Sequence, residues 1–336
     1  MTKLLAPLLT ALLLAGCATG PRIDTSYNAK GQASRVKFVV LHYTVSDRPQ
    51  SLKILTEQQV SAHYLLTDDA EPVIYRLVDE SQQAYHAGNS SWKNFTQLNT
   101  SSIGIEIVNK GWVDTPQGRV FAPFPQAQID ALIPLLQDIV KRHKVAPENV
   151  LGHSDIAPQR KQDPGPMFPW YQLAKAGLVT WPDMARVAAL RPVYELNPPQ
   201  AGWFQVKLAT HGYAVARTEL FDQQTRTVLS AFQMKYRPAN IDGVADAETA
   251  ALLEALTMPN APLAPVLLAP ATTAPPAVTP AVTPAPAVPE APAPAAQAAP
   301  TVNPFVPVPP APPAAPALVT PVAPLTPATP TPGTSQ

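Results

Sequence analysis

The uneven distribution of proline sets the strongest limit on what this chain can fold into. Residues 259–336 contain 25 of the 43 prolines and a single Glu, and they contain no Lys, Arg or Asp. Repeated proline removes backbone N–H groups that helices and sheets need, and the stretch has no apolar period from which a core could form. We therefore interpret residues 258–336 as a disordered, extended tail, with a ligand for a proline-recognising partner as the alternative.

The amino-terminal end has the pattern of an export signal. Lys3 precedes an apolar run over residues 4–14. This run is shorter than the roughly 20 residues that a membrane-spanning helix needs. A short positive segment followed by such a run and by small residues is typical of a signal peptide, which we place at residues 1–16.

The segment that ends this run, Leu14-Ala15-Gly16-Cys17, contains the only cysteine of the chain. It resembles the lipobox of bacterial lipoproteins, which implies that Cys17 becomes the lipidated amino terminus and that residues 17–33 form a linker. Ala18 stands where an Asp would hold such a protein at the inner membrane, so the resemblance implies the outer membrane. A buried free cysteine or a plain signal peptide is the alternative. A single cysteine also excludes an intrachain disulfide.

The charge balance argues against nucleic acid as a partner. The 24 basic and 24 acidic residues give a formal net charge of zero, so the chain lacks the basic footprint of a nucleic-acid-binding protein. Charged residues make up only 14% of the chain, below the usual value of about a quarter. The tail, which has almost no charge, accounts for part of this deficit.

Residues 34–180 predict one mixed α/β domain, with helices flanking a central sheet. Two short strands, over residues 36–41 and 149–152, each deliver a histidine, which is His42 in the first case and His153 in the second. The other predicted elements are a helix over residues 51–60, strands over 62–67, 73–78 and 102–108, and an amphipathic helix over 126–144 with Pro134 inside it.

The stretch from Gly152 to Gly165 cannot be one continuous helix, because Pro158 and Pro164 interrupt it. If the chain is extended at Lys161 to Asp163, those two side chains point the same way. A cation and a carboxylate would then face one site. An exposed, charged loop is the alternative interpretation.

The residue types at these strand ends suggest a metal hydrolase site. Two histidines and one carboxylate, His42, His153 and Asp163, form a ligand set of the kind that zinc takes in hydrolases, with one position left for water. Glu106 faces away from the isoleucines of its strand and is a candidate to move a proton. Lys161 is a candidate to stabilise an oxyanion. Spacing alone leaves this open, because the chain has six histidines and no helical ligand motif.

A family resemblance strengthens this hypothesis. Over about residues 35–177 the chain resembles the zinc-dependent N-acetylmuramoyl-L-alanine amidases of the AmpD and AmiD type, which are related to peptidoglycan-recognition proteins. The resemblance depends on five ordered motifs, which are Phe38-Val39-Val40-Leu41-His42-Tyr43-Thr44, Val60-Ser61-Ala62-His63-Tyr64, Tyr85-His86-Ala87-Gly88, Ser102-Ile103-Gly104-Ile105-Glu106 and the segment from Gly152 to Gly165.

The resemblance implies a role for each matching position. It implies one zinc ion per chain, cleavage of the amide between N-acetylmuramic acid and L-alanine, and peptidoglycan or muropeptides as partners. The implied metal ligands are His42, His153 and Asp163. The implied catalytic residues are Glu106 as acid and base and Lys161 as transition-state stabiliser, and the implied substrate-site residues are Tyr43, Thr44, His86 and Trp92.

Residues 193–257 predict a small all-α domain of three helices, over 202–210, 222–236 and 246–256. Asp222 and Asp246 have the pattern of helix N-caps. The segment resembles the three-helix peptidoglycan-binding module. A structural prop against the catalytic domain is the alternative, because no catalytic cluster is present in this part of the sequence.

The order of lipobox, catalytic domain and helical module resembles the outer-membrane lipoprotein amidases of the AmiD type. We therefore expect a monomeric enzyme of cell-wall turnover that is held at the outer membrane and faces the periplasm. Two alternatives are a tethered peptidoglycan-binding protein without activity and a structural lipoprotein that links membrane and wall.

Overall fold

The computed structural model describes residue 21 and residues 23–258. The predicted signal peptide, the predicted lipidation site Cys17 and the proline-rich tail lie outside the described residues. Across the part of the chain that is described, no helix combines the length and the apolar character needed to cross a membrane.

The strands of the described region build one central sheet and two small hairpins. They are β1 (Phe38–Tyr43), β2 (Tyr64–Leu66), β3 (Ile74–Arg76), β4 (Ser91–Trp92), β5 (Phe95–Thr96), β6 (Ser102–Ile107), β7 (Trp112–Thr115), β8 (Gly118–Phe121) and β9 (Val150–Gly152). The central sheet has five strands in the order β3-β2-β6-β1-β9. All its neighbours are parallel except β2 and β3. This mixed sheet confirms the predicted fold class.

The helices of the described region flank the sheet and form a carboxy-terminal helical part. They are α1 (Arg48–Glu57), α2 (Gln126–His143), α3 (His153–Ile156), α4 (Trp170–Lys175), α5 (Met184–Leu196), α6 (Ala201–His211), α7 (Gln223–Tyr236) and α8 (Ala247–Thr257). The two predicted caps are confirmed, because Asp222 accepts a hydrogen bond from Thr225 N and Asp246 accepts one from Thr249 N, both at 2.8 Å.

Helix α5 was not predicted from the sequence. Pro192 lies inside it, and proline disfavours a helix interior. Asp183 caps its first turn by accepting from Ala185 N at 2.9 Å, and the helix packs along α8. Helix α5 thus precedes the three predicted helices, which are α6, α7 and α8 of the described region.

The two faces of the central sheet have different partners. On one face, Leu41 and the isoleucines of β6 pack against α2. On the other face, Val40 belongs to a core that it shares with the helical part. Because successive residues of a strand point to opposite faces, His42 follows Val40 onto this second face. Its register partner there is Glu106 of β6.

The helical part is packed directly on this second face of the sheet. Phe38 and Leu151 of the sheet lie in the same buried cluster as Phe204, Tyr213 and Phe232 of the helices. All five side chains are at most 3% exposed. The helical part thus completes the core of the sheet.

Candidate metal centre

Three separate elements deliver three ligand atoms to one point. His42 is the penultimate residue of β1, His153 is the first residue of α3 after β9, and Asp163 lies in the segment that follows α3. Nδ1 of His42 lies 3.0 Å from Nδ1 of His153 and 3.0 Å from Oδ2 of Asp163. Nδ1 of His153 lies 3.1 Å from the same carboxylate oxygen. The three residues form a buried group that could hold a metal ion.

Hydrogen bonds hold the segment that contains Asp163 at the edge of the sheet. The backbone N–H of Ser154 donates to the carbonyl oxygen of Asp163 at 2.9 Å. The guanidinium of Arg160 donates to the carbonyl oxygens of Ala87 and Asn89, the latter at 2.8 Å through Nη2. These bonds fix the proline-bounded segment against both α3 and the loop before β4.

The environment of the group favours a neutral His42 and an ionised Asp163. His42 and His153 are 1% and 3% exposed, and Asp163 is 7% exposed. Burial, with the neighbouring His153, lowers the pKa of His42 to about 4. Burial alone would raise the pKa of Asp163, but the contacts with His153 and His42 outweigh it and hold that pKa well below its usual range.

The hydrogen bonds of His153 indicate which ring atom is free to bind a metal. Its Nε2 lies 3.2 Å from the carbonyl oxygen of Ala87, which can only accept. Nη2 of Arg160 is 3.3 Å away, but its hydrogens already go to the carbonyls of Ala87 and Asn89. His153 therefore donates through Nε2, and in the neutral ring its Nδ1 turns a lone pair toward Asp163.

A cation suits this arrangement because acceptor atoms face one another. A carboxylate oxygen and an imidazole lone pair 3.1 Å apart repel unless a positive charge lies between them. Metal-bound histidines commonly donate their other N–H to a carbonyl, as His153 does to Ala87. The residues present thus fit a bound metal ion.

Glu106 lies beside the group on the same face of the sheet, as the register partner of His42. Its Oε2 is shielded from solvent and has no hydrogen-bond partner in the described region. Burial, together with the nearby charge of Asp163, raises the pKa of Glu106 to about 8. A carboxyl group with a pKa near neutrality can both accept and release a proton.

Lys161 lies at the exposed edge of the same site. Its positive charge lowers the pKa of both Glu106 and His42. The structure therefore brings all five predicted metal and catalytic positions into one neighbourhood.

The first two predicted substrate positions are placed differently from each other. The ring of Tyr43 is 8% exposed and lies against Gly165, where a Cβ would come within 3.1 Å of Cε1 of Tyr43. The hydroxyl of Thr44 donates to the carbonyl of Ser46 at 3.0 Å and accepts from Asn109 N at 3.3 Å. Tyr43 thus borders the metal group, whereas the hydroxyl of Thr44 is engaged with the backbone of its own loop and of the segment after β6.

The other two positions require a correction. His86 is 9% exposed, and its Nδ1 contacts Nε2 of His42 at 3.0 Å. It lies behind a proposed ligand and not in a groove. Trp92 is 1% exposed, and its ring packs on Tyr213 of the helical part at 5.0 Å. The prediction that Trp92 lines the substrate site is wrong, because the helical part covers it.

Asp155 of α3, which was not predicted from the sequence, is 1% exposed. Its Oδ2 accepts from Gly152 N at 2.8 Å and from Nζ of Lys235 at 2.8 Å. Its Oδ1 accepts from the hydroxyl of Tyr213 at 2.5 Å. An acidic residue three positions after Gly152, at the start of a helix, is a capping signal that could have identified the first of these bonds.

Comparison with known proteins decides the family. The model of the N-acetylmuramoyl-L-alanine amidase family matches residues 32–166. N-acetylmuramoyl-L-alanine amidase AmiD of Escherichia coli K12 is 46% identical over 262 residues, which are 73% of this chain and 94% of that protein. The chain belongs to the N-acetylmuramoyl-L-alanine amidases. The predicted family and enzyme class are confirmed, and the alternatives without activity are not supported.

Solved structures of this family share the fold of both parts of the chain. The complex of E. coli AmiD with anhydro-N-acetylmuramic acid-L-Ala-D-γ-Glu-L-Lys has 44% identity and a TM-score of 0.64, and the match covers 70% of this chain and 94% of AmiD. AmpDh3 of Pseudomonas aeruginosa, in complex with anhydromuramic pentapeptide, has 41% identity and a TM-score of 0.65, with 70% and 97% covered. A second family model, described as "Putative peptidoglycan binding domain", matches residues 197–253 of the helical part.

Proposed function

We propose that this amidase is a zinc enzyme and that His42, His153 and Asp163 are its metal ligands. The observation that carries the proposal is the triangle of ligand atoms, whose edges are 3.0, 3.0 and 3.1 Å. Zinc binds nitrogen and oxygen at about 2.0–2.2 Å in a tetrahedral site, which places its ligands roughly 3.3 Å apart. Two imidazoles and one carboxylate are also a ligand set that catalytic zinc uses, with a fourth position left open.

The proposed reaction is hydrolysis of the amide between N-acetylmuramic acid and L-alanine. When bound, zinc supplies a Lewis acid that polarises the carbonyl and makes water a stronger nucleophile. Glu106 accepts the proton of the attacking water and then delivers it to the leaving amine. A raised pKa of about 8 suits the second of these steps, because the carboxyl group then holds its proton until the amine needs it.

Lys161 is proposed to stabilise the negative charge that develops on the carbonyl oxygen. Its effect on the pKa of Glu106 supports this role, because it shows that the ammonium charge is felt inside the site. Tyr43 is proposed to form part of the substrate-binding wall. Thr44 is proposed only as a residue that joins the loop after β1 to the segment after β6, since its hydroxyl bonds the backbone of both.

We propose muropeptides with a 1,6-anhydro-muramic acid end as the substrate class. The support is that AmiD and AmpDh3 were each solved with an anhydromuramyl peptide. The helical part, proposed as a domain that ends near residue 257, is inferred to contact peptidoglycan because its sequence matches a peptidoglycan-binding family model over residues 197–253.

The position of the enzyme in the cell is a proposal that depends on sequence alone. The segment Leu14-Ala15-Gly16-Cys17 supports lipidation at Cys17 and anchoring in the outer membrane with the catalytic domain, proposed at residues 34–180, in the periplasm. Labelling of cells with a radioactive fatty acid, followed by purification of the wild type and Cys17→Ala, tests this. Label in the wild type only is expected, and label in neither protein would contradict it.

Digestion of a defined muropeptide tests the catalytic proposal. Purified full chain is incubated with anhydro-N-acetylmuramyl-L-Ala-D-γ-Glu-L-Lys, and the products are weighed by mass spectrometry. Free tripeptide is expected from the wild type. Chelator should abolish its release, and added zinc should restore it. An intact muropeptide in the presence of folded, zinc-loaded protein would overturn the proposed substrate.

A further inference from the structure

The face of β6 that carries Glu106 also contacts a second histidine, His86. Ser102, Gly104 and Glu106 alternate along β6 and therefore point to the face on which His42 lies. The imidazole of His86 lies directly over Gly104, where a Cβ would come within 2.3 Å of its Cγ. Only glycine leaves room for this ring. The position of Gly104 in the strand thus explains how a histidine from a loop reaches the back of His42.

The backbone of His86 is also held in place. Its N–H donates to Oδ1 of Asn99 at 3.1 Å, and the N–H of Ala87 donates to the same oxygen at 2.7 Å. The ring itself makes two polar contacts, with Nδ1 3.0 Å from Nε2 of His42 and Nε2 3.1 Å from Oγ of Ser102. His86 therefore connects the serine to the proposed ligand.

Ser102, His86 and His42 form a series of hydrogen bonds that ends at the carbonyl group of Leu98. The direction of each bond in the series follows from this carbonyl group. Oγ of Ser102 lies 2.6 Å from the carbonyl oxygen of Leu98, which can only accept, so the serine hydroxyl gives its single hydrogen to Leu98. Toward His86 the serine oxygen can then only accept. Nε2 of His86 consequently carries the N–H, and its Nδ1 is the acceptor for Nε2–H of His42.

The consequence for His42 is a fixed tautomer. With the hydrogen on Nε2, the Nδ1 atom presents a lone pair to the point that His153 and Asp163 also face. The opposite tautomer would place a hydrogen on Nδ1, where Oδ2 of Asp163 is 3.0 Å away. That hydrogen bond would compete with a metal ion for both groups.

We propose that His86 and Ser102 are positioning residues that hold His42 in its Nε2–H tautomer and so keep the metal site open. The inference rests on the proposed role of His42 as a ligand. It predicts that loss of either residue lets the metal-free protein close the site by an internal hydrogen bond between His42 and Asp163. Partners that orient a ligating histidine typically change metal affinity by about 10–100-fold when they are removed.

The first measurement is the tautomer of His42 in the metal-free full chain. Nitrogen chemical shifts are recorded on protein labelled with ¹⁵N-histidine, and His42 is assigned by its loss in His42→Ala. The wild type should show the Nε2–H form. Ser102→Ala and His86→Phe should each show a large share of the Nδ1–H form. An Nδ1–H signal at His42 in the wild type would overturn the proposal.

The second measurement is the zinc dissociation constant, obtained by competition with a chelator. Ser102→Ala and His86→Phe should weaken zinc binding by about 10–100-fold. Ser51→Ala is the matched control, because its hydroxyl is equally buried and donates to the carbonyl of Asp47 at 2.7 Å. It should bind zinc as the wild type does. Equal affinity in all three variants would overturn the proposal.

The two measurements separate this inference from the proposed function. If His42→Ala and Asp163→Ala bind zinc as tightly as the wild type, the ligand assignment is wrong. If they lose zinc while Ser102→Ala and His86→Phe keep wild-type affinity, the ligand assignment stands and only the positioning role is wrong.

Discussion

Two buried polar clusters meet at the short helix α3, and they differ in how their charges are matched. The ligand cluster consists of His42, His153 and Asp163. The anchor cluster consists of Asp155, Tyr213 and Lys235, with the side chains of Asp155 and Lys235 1% and 5% exposed. Each cluster takes one residue from α3, since His153 and Asp155 are two positions apart.

In the anchor cluster every acceptor has a donor. The carboxylate of Asp155 receives hydrogen bonds from Lys235 at 2.8 Å, Tyr213 at 2.5 Å and Gly152 N at 2.8 Å. Nζ of Lys235 also donates to the carbonyl of Val150 at 3.2 Å and lies 4.3 Å from the ring of Trp170. These bonds join the helical part to β9 and α3, so the anchor cluster holds the fold together.

In the ligand cluster the nearest neighbours are acceptors. The chain supplies no cation among the three ligand atoms, although it supplies Lys235 to Asp155 a short distance along the same helix. Burying acceptors without donors lowers stability. Comparison of the two clusters therefore shows that the fold can satisfy a buried carboxylate with its own donors, whereas the ligand cluster could hold an ion from outside the chain.

The largest expected effect comes from breaking the ligand cluster. Asp163→Ala should lose zinc and activity together, because it removes one of three ligands and the Lewis acid with it. A metal ion contributes several kcal/mol to the transition state, so the loss in kcat/KM should exceed about 1,000-fold. Zinc content by mass spectrometry and tripeptide release check this. Turnover at the wild-type rate without zinc would contradict it.

Breaking the anchor cluster should instead lower stability. Lys235→Met leaves the carboxylate of Asp155 buried without its counter-ion, which typically costs about 3–5 kcal/mol. Urea unfolding of the full chain measures the change in the free energy of unfolding, and zinc content should remain at one ion per folded chain. The double variant Lys235→Met/Asp155→Asn is the control, and it should recover part of the loss. A single variant as stable as the wild type would show that the pair contributes little.

A smaller loss is expected from Tyr213→Phe, which removes one donor and leaves Lys235 in place. Hydrogen bonds to charged groups contribute about 1.5–3 kcal/mol, and the aromatic packing of this ring on Trp92 is retained. Tyr171→Phe, at an exposed position on α4, serves as the control. A loss of stability in Tyr171→Phe that matches the loss in Tyr213→Phe would remove the special role of Asp155.

The sequence predicted the ligand cluster far better than the anchor cluster, and the reason is physical. His42 lies at the end of an apolar strand, Glu106 lies opposite the alternating isoleucines of its strand, and the motifs around both belong to a known family. Asp155 and Lys235 are 80 residues apart, and nothing in the local pattern of either indicates the other. Their meeting depends on how the helical part packs on the sheet.

The same packing explains the remaining errors. From the sequence, Trp92 is expected to be an exposed aromatic residue of a loop, but Gly212 and Tyr213 cover it in the structure. A Cβ at Gly212 would come within 2.5 Å of its ring. His86 lies in a family motif, but its contact with His42 requires the empty space above Gly104. Helix α5 was missed because Pro192 argues locally against a helix that α8 stabilises through tertiary contacts.

Taken over a single pH unit, the smallest expected effect is a pH dependence of stability in the metal-free protein, and it comes from Glu106, which lacks a partner of the kind that Asp155 has. Burial and Asp163 raise the folded-state pKa of Glu106 to about 8, against about 4.3 in an unfolded chain. The folded protein therefore binds one more proton between these values, and its stability must fall as pH rises through this window, by up to about 1.4 kcal/mol per pH unit.

The buried histidines with lowered pKa values, such as His42, act in the opposite direction below about pH 6.5, but they are common to the wild type and Glu106→Gln. The free energy of unfolding of Glu106→Gln relative to the wild type should thus increase with pH in chelator-treated samples, whereas Glu57→Gln, at an exposed position on α1, should run parallel to the wild type. If the free energy of unfolding of Glu106→Gln also ran parallel to that of the wild type across this pH range, the chain would stabilise the carboxylate of Glu106 as fully as it stabilises that of Asp155.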